Sequence, residues 1–268
     1  RMGQGVTVLV GTTKGVFLLS SQDGRQSWQV SGPHCDGWPI NHVVGDAATG
    51  MLWAAGGSEF MGAGVWRSSD GGATWTLSLM ANGQIDAFLE NDPGARDYLK
   101  RDPAPPAPFR GRIVTLWSVA AVGDRLYAGA KPAALYESAD QGATWTLVEG
   151  LSNHPSGDSW EPGGAGLVLH TIVADPDDPA KIWVGISAAG VFATEDGGAT
   201  WDRRNRRSNE GDHVHTGDCG HDVGFCVHNM VRAPGRGGDL MYQQNHHGVF
   251  RSPDGGRSWH EITQGLPS

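Results

Sequence analysis

The sequence predicts an all-β protein built from four-stranded antiparallel blades, a β-propeller, and three observations support this. One octapeptide pattern recurs five times along the 268 residues. Glycine and proline are abundant, with 41 and 15 copies, which is typical of short strands joined by tight turns. Each complete repeat also carries three apolar strand-like segments before its octapeptide, and four strands per repeat is the composition of a propeller blade.

The repeated octapeptide is Ser/Thr-x-Asp-x-Gly-x-Ser/Thr-Trp, and only the first copy departs from it, with Arg25 in place of the glycine. Aspartate in a turn accepts hydrogen bonds from following backbone N–H groups. The tryptophan begins the next strand and supplies a large apolar face for packing. We therefore interpret the repeat aspartates as structural. They are Asp23, Asp70, Asp140, Asp196 and Asp254.

The strand pattern predicts a single propeller domain over residues 1–268 with five visible blades. Four complete blades are expected at about 40–80, 112–150, 167–205 and 226–265, whereas the first, at about 6–32, lacks an inner strand. That strand is expected from residues beyond 268, as in a larger, for example seven-bladed, ring, from another subunit, or not at all. Residues 81–111 are an insertion with a short helix expected at Ile85–Leu89.

The octapeptide resembles the Asp-box, or BNR, repeat of sialidases, sortilin-type receptors and many bacterial propeller proteins. The longer phrases GPHCDGWPINHV, KPAALYES, SWEPGGAGLVLHTIVADP and YQQNHHGVFRSPDGG are similar to a bacterial group labelled BNR-repeat glycosyl hydrolases or exo-sialidase-like proteins. The resemblance covers nearly the whole chain. It implies the propeller fold and, through the label, a carbohydrate as substrate or ligand.

Charge and cysteine content restrict partners and compartment. The formal net charge of −9 argues against nucleic acid or an anionic membrane surface as the main partner, since both require a basic surface. No apolar run approaches the roughly 20 residues of a membrane helix. Three cysteines do not describe a disulfide framework. A cytoplasmic protein is expected, or a secreted or periplasmic one if a signal peptide has been removed.

Ten of the eleven histidines are expected on the face opposite the octapeptide turns. His42, His170 and His228 open the innermost strands of their blades, within one residue of register, and His246 lies on the loop beside His228. We expect these four imidazoles to converge at one mouth of the central channel. Secondary ligand candidates follow from the same region of the chain. They are His213, His215, Cys219, His221 and Cys226.

Imidazole and thiolate groups suit transition metals, so the sequence predicts a divalent metal there: Zn, Fe, Cu, Mn or Ni. The alternative is a set of hydrogen-bonded channel or surface histidines. Glu161, nine residues before His170, is the candidate acid or base of this mouth.

Three functions remain open from the sequence. The first is a metal or small-ligand site, with or without catalysis, and the second is a glycosidase or carbohydrate binder. The third is a protein-interaction or assembly scaffold, for which another subunit is a possible partner. A standard sialidase is not expected, because the Arg-Ile-Pro motif is absent and three of the four tyrosines lie in repeat strands.

Overall fold

The computed structural model describes residues 5–207, 223, 225–234 and 239–266. The chain forms two compact units. One comprises Arg1–Ala130 with Ser138–Trp145, and the other comprises Lys131–Glu137 with Thr146–Ser268.

The first unit begins with a three-stranded sheet and continues with a four-stranded sheet. The strands of the first sheet are β1 (Val6–Thr12), β2 (Gly15–Ser21) and β3 (Gln29–His34). Those of the second are β4 (Ile40–Gly45), β5 (Leu52–Ser58), β6 (Gly62–Ser68) and β7 (Thr76–Ala81). Within the described residues β1 pairs only with β2.

Two helices occupy the insertion that follows β7. They are α1 (Gln84–Asn91), which contains the expected helix at Ile85–Leu89, and α2 (Pro93–Leu99). Asp92 caps α2 by accepting a hydrogen bond from the backbone N–H of Ala95, because first-turn N–H groups lack helical partners. The paired strands β8 (Thr115–Val122) and β9 (Arg125–Lys131) come next.

The second unit contains two complete four-stranded antiparallel sheets. It opens with the paired strands β10 (Leu135–Ser138) and β11 (Thr146–Leu147), followed by the short helix α3 (Glu149–Ser152) and a 3-10 turn at Gly157–Ser159. The first sheet comprises β12 (Leu169–Ala174), β13 (Ile182–Ile186), β14 (Gly190–Thr194) and β15 (Asp202–Arg203). The second comprises β16 (Val227–Arg232), β17 (Met241–Asn245), β18 (Gly248–Ser252) and β19 (His260–Glu261).

The strands pair in sequence order within these sheets, and this all-β, four-stranded antiparallel architecture is that of β-propeller blades. The predicted fold class is therefore confirmed. The two sheets of the second unit share a core that includes Trp183, Met241, Phe250 and Trp259, all at most 1% exposed. The indole of Trp183 also donates to the carbonyl of Gly255, at 2.9 Å, so one sheet is tied to the turn of the next.

Every octapeptide lies in the turn between the last two strands of its set. In the second copy, Asp70 Oδ1 accepts from the backbone N–H of Thr74 (2.9 Å) and Asp70 Oδ2 from its hydroxyl (2.6 Å). The hydroxyl of Ser68 donates to Asp70 Oδ1 at 2.8 Å. The other four copies repeat this pattern around Asp23, Asp140, Asp196 and Asp254.

These bonds stabilise the charged carboxylate and so lower its pKa. Hydrogen bonds from Thr74, Thr144 and Thr200 lower the pKa of the aspartate in the same turn to about 2. These aspartates are Asp70, Asp140 and Asp196, respectively. In the second copy both oxygens of the carboxylate accept hydrogen bonds within the turn, which supports the interpretation of these aspartates as structural residues.

Candidate functional site

The innermost strand of three sheets contains an irregularity near its start. Pairing skips one residue between Ile40 and His42, between Leu169 and Thr171, and between Val227 and Asn229. A skipped residue of this kind is a β-bulge, which redirects a side chain. The skipped residues are Asn41, His170 and His228.

His42 therefore lies one residue beyond the position that His170 and His228 share, and Asn41 occupies that position. The sequence alignment was out of register by one residue here. In the first unit, the amide of Asn41 donates to the carbonyl of Leu116 at 2.7 Å. Nδ1 of His42 accepts from the backbone N–H of Val119 at 3.0 Å.

His170 is committed to hydrogen bonds through both ring nitrogens. Its Nε2 lies 2.7 Å from the carbonyl oxygen of Val227, which can only accept, so Nε2 carries the proton. Its Nδ1 lies 2.8 Å from the hydroxyl of Thr171. Burial lowers the pKa of His170, which favours the neutral ring. This imidazole links β12 to β16 much as Asn41 links β4 to β8.

His228 has a different environment although it occupies the same bulge. Its Nε2 lies 3.2 Å from Nε2 of His246, and the two rings are nearly perpendicular, at 85°. Both imidazoles are exposed. Cys226 joins them, because its Sγ and one nitrogen of each ring all lie within 4.8 Å of one another. We call Cys226, His228 and His246 the Cys-His-His cluster.

This cluster is the only group of three or more potential ligands within 4.8 Å of one another in the described residues. It contains two of the four primary predicted ligands, His228 and His246, and one secondary candidate, Cys226. His170 is outside it. The remaining secondary candidates lie outside the described residues: His213, His215, Cys219 and His221.

The loop that carries Glu161 approaches the cluster through Gly163. A Cβ placed on Gly163 would lie 3.5 Å from Cys226 Sγ and 2.7 Å from the hydroxyl of Ser187. Glu161 itself is exposed, and its role as acid or base stays a prediction. The Ser187 hydroxyl lies 3.8 Å from Cys226 Sγ, so this serine is a neighbour of the cluster that the sequence analysis missed.

A second candidate site in the same unit is a cleft of about 490 Å³ beside α3. Trp160 lines it and is held in place, since its indole N–H donates to the Ser156 hydroxyl at 2.9 Å and its ring lies 5.1 Å from that of Phe192. Asn153 and Asp158 are exposed at the same cleft. Trp160 and Asn153 carry no sequence signal of a site, because a loop of irregular structure has no periodicity to interpret.

Among the residues that the structure describes, no helix is long and apolar enough to cross a membrane.

Comparison with known proteins identifies the fold and no more. No protein-family model matches the chain, and no curated protein matches it. Among solved structures, the chain is similar to a GH74 enzyme from Niastella koreensis, with 16% identity and a TM-score of 0.53. The match covers 96% of this chain and 29% of that enzyme, so the chain spans less than a third of its length.

Two further structures show the same fold likeness. A candidate 6-phosphogluconolactonase from Bacteroides uniformis has 12% identity and a TM-score of 0.55, over 97% of this chain and 67% of that one. A protein from Lactobacillus plantarum has 13% identity and a TM-score of 0.52, over 92% and 62%. Identities this low indicate shared architecture, and one fold hosts many functions.

Proposed function

We propose that the Cys-His-His cluster binds a transition metal ion. The observation that carries the proposal is the convergence of one thiol and two imidazoles, all within 4.8 Å. The bulge at His228 directs its ring toward His246 on the turn between β17 and β18, and Cys226 immediately precedes β16. Three ligands thus come from two neighbouring segments of a single sheet.

The nitrogen separation fits a shared ion. Two imidazole nitrogens bound at about 2.0–2.1 Å and at a tetrahedral angle lie roughly 3.3 Å apart, and the structure has 3.2 Å between the two Nε2 atoms. A direct hydrogen bond between two neutral imidazoles would have a similar distance. The Cys226 thiol favours the metal interpretation, because a pair of hydrogen-bonded imidazoles would not require a third potential ligand beside it.

The donor set indicates which ion to expect. Thiolate with imidazole suits zinc first, and also copper, iron or nickel, whereas manganese prefers oxygen ligands. Three protein ligands leave one position of a tetrahedral ion for water or a small molecule, the arrangement of catalytic rather than structural zinc sites. Both histidines are exposed, so that position is accessible from solvent.

The test is metal binding by wild-type protein and by variants of the cluster. After incubation with Zn²⁺ and dialysis, elemental analysis should find about one zinc per chain, and His228→Asn and Cys226→Ser should each lose most of it, since removing a ligand weakens binding more than the 10–100-fold of an outer contact. His247→Asn is the control, because this neighbouring imidazole is outside the cluster. Wild-type protein without zinc, or a His228→Asn variant that retains it, would refute the proposal.

We also propose, as a second candidate, that the Trp160 cleft binds a carbohydrate. The observation favouring it is a fixed indole beside an exposed amide and an exposed carboxylate in one cleft. An aromatic face can pack on the apolar face of a sugar ring, while Asn153 and Asp158 offer donors and acceptors to hydroxyl groups. This is consistent with the resemblance of the chain to the bacterial group labelled BNR-repeat glycosyl hydrolases.

Glycan-array screening followed by calorimetry with the best ligand tests this candidate. Trp160→Ala should reduce affinity at least tenfold, whereas Trp28→Ala, which removes an indole that is 39% exposed in the first unit, should leave it unchanged. Equal losses in the two variants, or no glycan bound by wild-type protein, would eliminate it.

A further inference from the structure

A buried hydroxyl group lies next to the thiol of the Cys-His-His cluster. Ser187 is 8% exposed and follows β13, where its backbone N–H donates to the carbonyl of Val168 at 2.8 Å. Its Oγ lies 3.8 Å from Cys226 Sγ. The backbone of Ser187 is therefore fixed, and its side chain is placed against the sulfur.

Strand pairing gives Ser187 and His246 equivalent positions in neighbouring sheets. Ser187 follows Ile186, the partner of Leu169, and His246 follows Asn245, the partner of Val227. Each is thus the first residue of the turn opposite a bulge. One sheet supplies an imidazole to the cluster from this position, and the other supplies a hydroxyl.

Gly163, in the loop that carries Glu161, lies against the contact between Ser187 and Cys226. A methyl group at Gly163 would lie 2.7 Å from Ser187 Oγ, a separation that displaces the hydroxyl. The φ angle of Gly163 is not positive, so its backbone conformation does not require glycine. A side chain at position 163 would therefore require the Ser187 hydroxyl to move.

We propose that Ser187 is a positioning residue of the metal site: its hydroxyl donates a hydrogen bond to Cys226 Sγ and directs the sulfur toward His228 and His246. The absence of a side chain at Gly163 leaves room for that hydroxyl. This rests on the proposed metal-binding function. Groups that hydrogen-bond to a metal ligand fix its orientation, and removing one of them typically reduces metal affinity 10–100-fold.

Zn²⁺ titration of purified full-length variants, in competition with a chromophoric chelator, tests the proposal. Ser187→Ala should weaken zinc binding about 10–100-fold, and Ser187→Thr, which keeps the hydroxyl, should restore most of the affinity. Gly163→Ala should weaken it to a similar degree. Gly164→Ala is the matched control, because a Cβ at Gly164 meets nothing within 4 Å, and its affinity should equal that of wild-type protein.

A second readout separates positioning from a general loss of structure. With Co²⁺ in place of zinc, the thiolate-to-metal charge-transfer band should shift and weaken in Ser187→Ala and recover in Ser187→Thr, while circular dichroism stays that of the folded protein. If wild-type protein binds zinc but Ser187→Ala and Gly163→Ala bind it equally well, the positioning role is wrong and the metal site stands. If wild-type protein binds no zinc, both proposals fail together.

Discussion

The sheets β12–β15 and β16–β19 are built alike, yet the same histidine position serves different purposes in them. Both place an octapeptide aspartate in the last turn, and both have a bulge at the second residue of the innermost strand. In the first sheet, His170 bonds to the carbonyl of Val227 and is partly buried. In the second, His228 is exposed and meets His246.

The comparison shows that position in a repeat does not by itself determine the role of a side chain. The bulge presents an imidazole in both sheets, but the neighbouring groups decide whether its nitrogens are available to a ligand. His170 has a carbonyl and a hydroxyl at its two nitrogens. His228 has another imidazole and a thiol nearby, the groups that form the proposed metal site.

The largest effect should separate the two histidines by metal content. His228→Asn should reduce bound zinc at least tenfold, because it removes a ligand, whereas His170→Asn should retain the wild-type stoichiometry. Asparagine already makes the equivalent bond in the first unit, from Asn41 to the carbonyl of Leu116. Elemental analysis of the two variants after identical dialysis measures this difference.

A loss of zinc in His170→Asn comparable to that in His228→Asn would break the comparison. It would return His170 to the ligand set that the sequence predicts.

Replacing His170 should reduce stability more than replacing His228 does, the opposite of the order expected for bound zinc. His170→Ala leaves the carbonyl of Val227 without its donor, and an unsatisfied buried acceptor costs about 1–3 kcal/mol. His228→Ala removes an exposed ring and should change the free energy of unfolding of the metal-free protein by less than about 0.5 kcal/mol. Urea denaturation in the presence of a chelator gives both values.

The asparagine variant sharpens this result. His170→Asn should recover part of the stability that His170→Ala loses, and equal stabilities of the two variants would mean that the Val227 bond contributes little.

The smallest expected effect concerns the octapeptide turns, in which the two sheets have the same hydrogen bonds. The pKa of Asp196 in the folded protein is about 2, below the roughly 3.9 of an unfolded chain. Its contribution to stability is therefore fully present above about pH 4 and is lost as the pH falls through about 2. Asp196→Asn should lower the melting temperature by a few degrees at pH 7, and this difference should narrow below pH 4.

Thermal melts of wild-type protein, Asp196→Asn and Asp254→Asn between pH 2.5 and pH 7 test the expectation. Hydrogen bonds also lower the pKa of Asp254, although its partial burial opposes them, so both variants should follow the same trend. A difference from wild type that stays constant across this range would contradict the assigned role of the carboxylates.

Much of the fold was predictable because its determinants are local. Each octapeptide contains its own donor, acceptor and glycine within eight residues, so the turns around Asp70 and Asp196 could be identified without a structure. The burial of the octapeptide tryptophans was predicted correctly for some copies and not for all. Trp145, Trp201 and Trp259 are buried, but Trp28 is 39% exposed.

The candidate site was only partly predictable because it depends on contacts between distant segments. His228 and His246 could be paired from their places in one repeat. The bulge register was not visible in the sequence, so His42 was aligned in place of Asn41. Ser187 and Gly163 carry no sequence signal, since a serine in a turn and a glycine in a glycine-rich loop are common.

The sequence alone determined the repeating blade, because turn chemistry and strand alternation act over a few residues. Tertiary structure decided which histidines are available to a ligand. An imidazole nitrogen meets a carbonyl in His170 and another imidazole in His228. Which of the two it meets depends on the backbone and side-chain atoms that the packing of neighbouring strands brings within about 3 Å.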